Sequence, residues 1–190
     1  MRVQSRALSF LRLPRRFADD PRGTAAAEFC IILPLMLGFA FGVSEVCNLI
    51  AVDRKLTLTA HAISDMVAQT SAVSDADMAN VLNAGKVLLQ PYSANELKLR
   101  VSAVNIDANQ NATVVWSDGS PSGEARQKGP VTVPAALRVP NTQLIWGEVA
   151  YDYKPNHGAF SLKSMWSLKY EKNQYFSRPR ESSVVCRPSC

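Results

Sequence analysis

The sequence predicts an α+β fold. One long N-terminal helix spans a membrane and continues into an extracytoplasmic domain, which adds a second helix and an antiparallel sheet of about four strands. Three observations lead there. Residues Phe29–Val43 carry no charge. From Leu49 to Leu89, apolar residues recur at three- and four-residue spacing, the period of a helix with one covered face. Beyond Pro91 the pattern changes to alternation, the period of a strand. The 190 residues therefore divide into a basic cytoplasmic leader (1–23), a transmembrane helix (24–52), an extracytoplasmic helical region (53–90) and a β-rich region with a cysteine-containing tail (91–190).

Charge sets the orientation. The formal net charge is +5, and it is concentrated at one end. Arg2, Arg6, Arg12, Arg15, Arg16 and Arg22 meet only Asp19 and Asp20 before residue 24, so +4 lies in the leader and +1 in all the rest. Basic residues ahead of an apolar helix stay on the cytoplasmic side. Residues from about Asp53 onward then lie outside the cytoplasm. The basic balance does not point to nucleic acid, which needs clustered Lys and Arg among stacking aromatics. No such cluster follows residue 23.

A spanning helix needs about 20 mainly apolar residues, and Phe29–Ile50 supplies them. Glu45 falls about 24 Å along the helix from Phe29. That is near the outer interface, where it is expected to meet water without a dedicated partner. Pro34 lacks an amide proton and removes the bond to the Cys30 carbonyl, which predicts a kink. Gly38 and Gly42 form G-x-x-x-G, a spacing that lets a second helix approach closely. The plain alternative is two small residues in an oily helix.

Three readings of this region compete. A signal anchor keeps the whole chain. A cleaved secretory signal would use Ala40-Phe41-Gly42 and begin at Val43, but such signals have a short positive start and no glutamate before the apolar core. The third reading uses "RGTAAAEF", in which Glu28 stands five residues after Gly23 and directly before the apolar run. This arrangement resembles the prepilin processing site of type IV pilins. The resemblance implies a cut between Gly23 and Thr24 that leaves the helix attached. The new ammonium at Thr24 would be neutralised by Glu28 of a neighbouring subunit, because an unpaired carboxylate in apolar surroundings is strongly unfavourable. The alternative for Glu28 is a favourable place in the first turn of a helix, through the helix dipole.

Residues 23–68, "GTAAAEFCIILPLMLGFAFGVSEVCNLIAVDRKLTLTAHAISDMVA", resemble the TadE-like family more closely than major pilins. These are pilin-like proteins of the tight-adherence (Tad) secretion and Flp pilus system. "AAAEF…LP", "SEV" and "DRKLTLTAHAISDMVA" carry the resemblance. "WGEVAYDYKP" and "RPRESSVVC" resemble the ends of some members less specifically. The piece before the glycine is longer than in many members. The resemblance implies a pilin-like fold and a minor pilin-like (pseudopilin) subunit with no enzymatic role and no cofactor. It sits in a bacterial inner membrane with the N-terminus cytoplasmic and the domain periplasmic. The implied partners are a prepilin peptidase, the inner-membrane assembly platform, other pilin subunits and the lipid bilayer, with no nucleic acid. The alternative is a signal-anchored periplasmic or surface protein that captures a ligand on its sheet and has no pilus role.

Outside the membrane, Leu49, Val52, Leu56, Ala60, Ile63 and Val67 make one apolar face. Ser74 is a candidate cap of a second helix, with Asp77 at its third position. Met78, Val81, Leu82, Gly85, Leu88 and Leu89 form that helix's buried side, and Pro91 ends it. "LKLRVSAVNI" from Leu97 and "NATVVWS" after Asn109-Gln110 read as a hairpin. "SDGSPSGEARQKG" reads as a polar loop. "TQLIWGEVAYDYKP" alternates with Ile145, Gly147, Val149, Tyr151 and Tyr153 on one side, and a last strand is expected around Met165 to Tyr175. The local order is two strands and then two more.

No catalytic set is legible. His61 and His157 are the only histidines. His61 is expected on the helix, partly exposed, and His157 in a turn. There is no Walker motif or dinucleotide-binding glycine pattern. Asp118-Gly119 lacks the other oxygen ligands of a calcium loop. The aromatics Trp146, Tyr151, Tyr153, Trp166 and Tyr170 read as sheet packing. Cys30 and Cys47 belong to the apolar segment and act as small hydrophobes. Cys186 and Cys190 close the chain as "CRPSC", with no second ligand pair for a metal. In an oxidising compartment they can pair with each other or across subunits, or stay as thiols.

Overall fold

A computed structural model describes residues 22–121, 123–153 and 173–187. The α+β class is as expected. Helix α1 runs from Arg22 to Ala68 without interruption and contains Pro34. At 1.5 Å per residue it is about 70 Å long. Helix α2 covers Asp75–Leu88. Among the described residues five strands follow: β1 Leu97–Ile106, β2 Ala112–Gly119, β3 Gly129–Val131, β4 Thr142–Tyr151 and β5 Asn173–Ser177. They form one antiparallel sheet in the order β3-β2-β1-β4-β5.

The two halves of α1 differ. Val52, Leu56, Ala60, Ile63 and Val67 are buried on one stripe, as their spacing predicts. They pack on Leu99, Val101, Ala103, Ile145 and Val149 of β1 and β4. Contact is closest at Gly147. A Cβ there would lie 2.6 Å from the Ala60 carbonyl oxygen and 3.0 Å from the Ser64 Cβ. Ser64 is itself buried, and its hydroxyl donates to the Ala60 carbonyl at 2.8 Å. Only a residue without a side chain lets the helix backbone rest on the strand. Gly85 plays the same part for α2, with Leu99, Ile63 and Thr59 around it.

Helix α2 begins with a capping box. The Asp77 amide donates to the Ser74 hydroxyl oxygen at 3.2 Å, and the Ser74 amide donates to the Asp77 carboxylate at 3.1 Å. The Ser74 hydroxyl also donates to the Asp77 carboxylate at 2.6 Å, and this bond first and the Ser74 amide second hold the Asp77 carboxyl below its usual pKa. Met78 and Leu89 are buried and Val81 and Leu82 half-buried. Leu88, expected on the buried side, is exposed. The helix has turned it outward by the last turn, and Leu89 takes the buried position.

The hairpin joins β1 and β2 through residues 107–111, with Gln110 at a positive φ of 64°. The register shifts between Ala103 and Val104, leaving one extra residue in β2. Such a bulge reverses the side on which later residues point. Ala112 and Val114 therefore join the outer-face core, while Trp116 turns to the helix side. Its indole N–H donates to the Val185 carbonyl at 3.0 Å. A regular strand would have put Ala112, Val114 and Trp116 on one face.

Strand β3 is the addition to the four strands expected. It has three residues, includes Pro130 and lies at the sheet edge, where a missing amide is tolerated. The last strand is described at Asn173–Ser177, overlapping the end of the expected span, whose residues 165–172 lie outside the described residues. Asn173 ties β5 to α1 by donating to the Asp53 carboxylate at 2.8 Å. The tail then returns across the α1–α2 junction. Cys186 accepts from Val73 and donates to Ser71, each at 3.0 Å. Arg187 joins Asp75 at 3.0 Å and Asp118 at 2.8 Å.

The Gly147 contact predicts a strong substitution effect. Gly147→Val must push the helix backbone away, and overpacking of this kind costs about 1–3 kcal/mol. Gly85→Val meets first the flexible end of Leu99 and is milder. Denaturant unfolding of the full chain in mild detergent, followed by near-ultraviolet circular dichroism, ranks the two. Equal midpoints for wild type and Gly147→Val would contradict this account of the helix–sheet contact.

Candidate functional site

Along α1 every residue from Gly23 to Leu37 is exposed. Phe29, Ile31, Leu35 and Phe39 are 58%, 75%, 75% and 76% exposed. Gly23–Ala68 contains a window of mean hydropathy 2.0, long and apolar enough to cross a membrane. Burying each large apolar side chain is worth about 1.5–3 kcal/mol, so this surface favours lipid or other helices over water.

Gly23 lies at the base of this helix, and a Cβ there would meet nothing within 4 Å. The fold therefore does not require glycine at that position. Thr24 follows in the first helical turns, and Glu28 is exposed one turn further. Because α1 already runs from Arg22, Glu28 lies past the first turn. A dipole benefit fades beyond that turn, so the first-turn account of Glu28 does not hold. Pro34 sits among exposed residues. Gly38 and Gly42 share a face and also have open space at Cβ. With Phe39, Val43, Val46 and Cys47 they line an apolar groove of about 380 Å³. Interior glycine costs a helix roughly 1 kcal/mol relative to alanine, and nothing in the chain's own packing offsets it here.

Glu45 continues this face, and the structure corrects the expectation for it. The residue is 2% exposed and does not reach water. Two residues beyond the end of β4, the Tyr153 hydroxyl faces the carboxylate. Neither the Glu45 oxygens nor that hydroxyl has a well-aligned hydrogen-bond partner. Burial, and then Glu45 itself, raises the Tyr153 pKa above the usual phenol value.

A third glutamate is paired instead. Glu148 on β4 is 2% exposed on the outer face of the sheet. Arg126 reaches both its oxygens at 2.8 and 2.7 Å, and Arg100 approaches at 3.4 Å. The Arg126 guanidinium also lies 4.1 Å above the Trp146 ring, which stacks on Phe176 at 5.2 Å. Sequence reasoning missed this cluster. The signal was an acid at the centre of the apolar run "LIWGEVAY", since a buried carboxylate demands a cationic partner. Two donors stay unpartnered here, Trp146 Nε1 and Arg126 Nε. A buried donor without an acceptor costs about 1–3 kcal/mol.

The tail cysteine Cys186 is in a disulfide, and Cys30 and Cys47 are free thiols. Cys190 lies outside the described residues, as does His157. His61 is exposed on α1 with its ring 4.1 Å from Tyr175. Among the described residues no group of three or more His, Cys, Asp or Glu is placed to hold a metal.

The raised Tyr153 pKa sets a pH dependence. The folded state holds the phenol proton more tightly than the unfolded chain, whose tyrosines titrate near 10. This contribution is complete below about pH 10 and is lost as pH rises toward the folded value. Unfolding midpoints measured between pH 8 and pH 11 should fall more steeply for wild type than for Tyr153→Phe. Parallel curves would show that Tyr153 titrates normally.

Comparison with protein-family models, curated proteins and solved structures finds no match to the chain. The site is thus defined by its own chemistry: an uncovered apolar helix on an α+β domain, with one exposed and one buried carboxylate along it.

Proposed function

We propose that the chain is a minor pilin-like subunit of a tight-adherence (Flp pilus) type of assembly system, processed after Gly23 and joined to its partners through α1. The observation that carries this reading is the set Gly23, Thr24 and Glu28 at the base of an uncovered apolar helix. The chain's own fold uses neither the glycine nor the exposed carboxylate. A peptidase that cuts after glycine and a neighbour's new amine would use both. The disulfide at Cys186 fits an oxidising compartment for the domain. The partners in this reading are a prepilin peptidase, an inner-membrane platform and other pilin-like subunits. No cofactor or enzymatic step is part of it.

The level of Tyr153 bears on membrane depth. Because the domain reaches down to Glu45, the hydrocarbon core falls on Thr24–Ser44 in this reading, not as far as residue 52. That span is about 31 Å long, the thickness of a bilayer core. Glu28 then lies about 6 Å inside the cytoplasmic edge. An ionised group there needs a partner. The groove at Gly38 and Gly42 is the contact surface for a second helix.

Two substitutions test the reading. Gly23→Leu should leave full-length protein in cells that hold the peptidase, seen by N-terminal mass spectrometry. Glu28→Gln should be cut normally yet fail to crosslink to pilin partners, with capture reduced at least tenfold. Wild-type chain that stays uncut beside an active peptidase, or normal capture by processed Glu28→Gln, would sink the proposal.

A further inference from the structure

The two edges of the sheet are built differently. Edge strand β3 has three residues and contains Pro130, which lacks an amide donor. Both features discourage pairing with another chain. Edge strand β5 has five residues, Asn173–Ser177, with neither proline nor charge among them. It bonds to β4 on one side, and among the described residues no strand or loop bonds to its other side. Its outward amide and carbonyl groups are a short template for an added strand.

The surface beside that edge is apolar in the middle and cationic at both ends. Residues 54, 58 and 61 lie at four- and three-residue spacing on one side of α1. His61 sets that side next to β5, since its ring lies 4.1 Å from Tyr175. Leu58 is 66% exposed there. On the outer face of the sheet, Phe176 stacks on Trp146 and is only half-buried. Arg54 is exposed at the level of Asn173, which bonds to Asp53, and Arg178 is exposed one residue past Ser177. Neither arginine has an ion pair among the described residues. They stand about 17 Å apart along the strand.

Direction narrows the choice of partner. Asn173 lies beside Asp53, Tyr175 beside His61 and Arg180 beside Ala68, so β5 and α1 run the same way. Neighbouring strands alternate, so β3 also runs that way. Two copies held by α1 in one membrane share an orientation. The described edges of a second copy therefore meet β5 only in parallel, and one of them is interrupted by Pro130. Parallel pairing is the weaker kind.

We propose that the β5 edge accepts an extended segment of a different protein, which adds an antiparallel strand and runs toward the membrane. The central residues of the segment are apolar. One lies opposite Tyr175 and covers Leu58, and the next packs beside Phe176 on the outer face. Carboxylates at its two ends meet Arg178 and Arg54. The inference uses α1 as a membrane anchor and does not depend on the pilin reading.

The test adds a fluorescein-labelled peptide, Asp-Thr-Val-Leu-Thr-Glu-amide, to the full chain in detergent micelles. Fluorescence anisotropy should saturate, and amide hydrogen exchange across residues 173–177 should slow at least tenfold. The same peptide with proline in place of valine and leucine cannot complete the ladder and should bind at least tenfold more weakly. The double variant Arg54→Glu/Arg178→Glu changes only exposed side chains. It should weaken binding of the acidic peptide at least tenfold and take Lys-Thr-Val-Leu-Thr-Lys-amide instead. No saturable binding, binding without slowed exchange at 173–177, equal binding of the proline peptide, or no exchange of charge preference in the double variant would overturn the proposal. So would slowed exchange that grows with the concentration of the chain alone, which would assign the edge to a second copy.

Discussion

The contact of α1 with β4 at Gly147 is the constraint on which the rest of the domain depends. The helix backbone at Ala60 comes close enough that no Cβ fits between them. This approach lets Ile63 be fully buried between the helices and the sheet and brings α2 onto the same surface through Gly85. Close-packed interiors tolerate little change in volume. The position and tilt of the long helix are therefore set at this crossing, and its uncovered end is aimed by it.

The remaining elements hold that crossing in place. The bulge in β2 sends Trp116 to the helix side, where it binds the tail through Val185. The tail in turn closes the end of α1, since the Arg180 amide donates to the Ala68 carbonyl at 2.9 Å. Gln143 on β4 accepts from the Val185 amide. Sheet, helix end and tail thus form one hydrogen-bonded unit. The disulfide at Cys186 sits at its margin, next to the strap across Ser71–Val73.

Three glutamates show how differently one side chain is used. Glu28 is exposed on an apolar helix. Glu45 is buried and faces the Tyr153 phenol. Glu148 is enclosed and paired with two arginines, which offset the cost of burying its charge. The second joins domain to helix, and the third builds a polar centre into an otherwise apolar sheet. The folded domain packs on the second half of α1, while most of the first half exposes apolar side chains.

The apolar run from Phe29, the stripe from Val52 to Val67, the Ser74 capping box and the alternation in β1, β2 and β4 were all legible in the sequence. Each rests on local periodicity or on a side chain bonding within a few residues. Gly23, Thr24 and Glu28 stand in the sequence as a short linear pattern, and the role proposed for them rests on that pattern. The sequence by itself therefore determined the α+β class and the uncovered helix. Only the tertiary structure decided the burial of Glu45, the side taken by Trp116, the strand at Gly129–Val131 and the Arg100–Glu148–Arg126 cluster. These depend on which distant segments meet: Tyr153 reaching Glu45, a single extra residue reversing β2, and residue 126 crossing over residue 148. Periodicity reports that a face is covered, and it carries no information about what covers it.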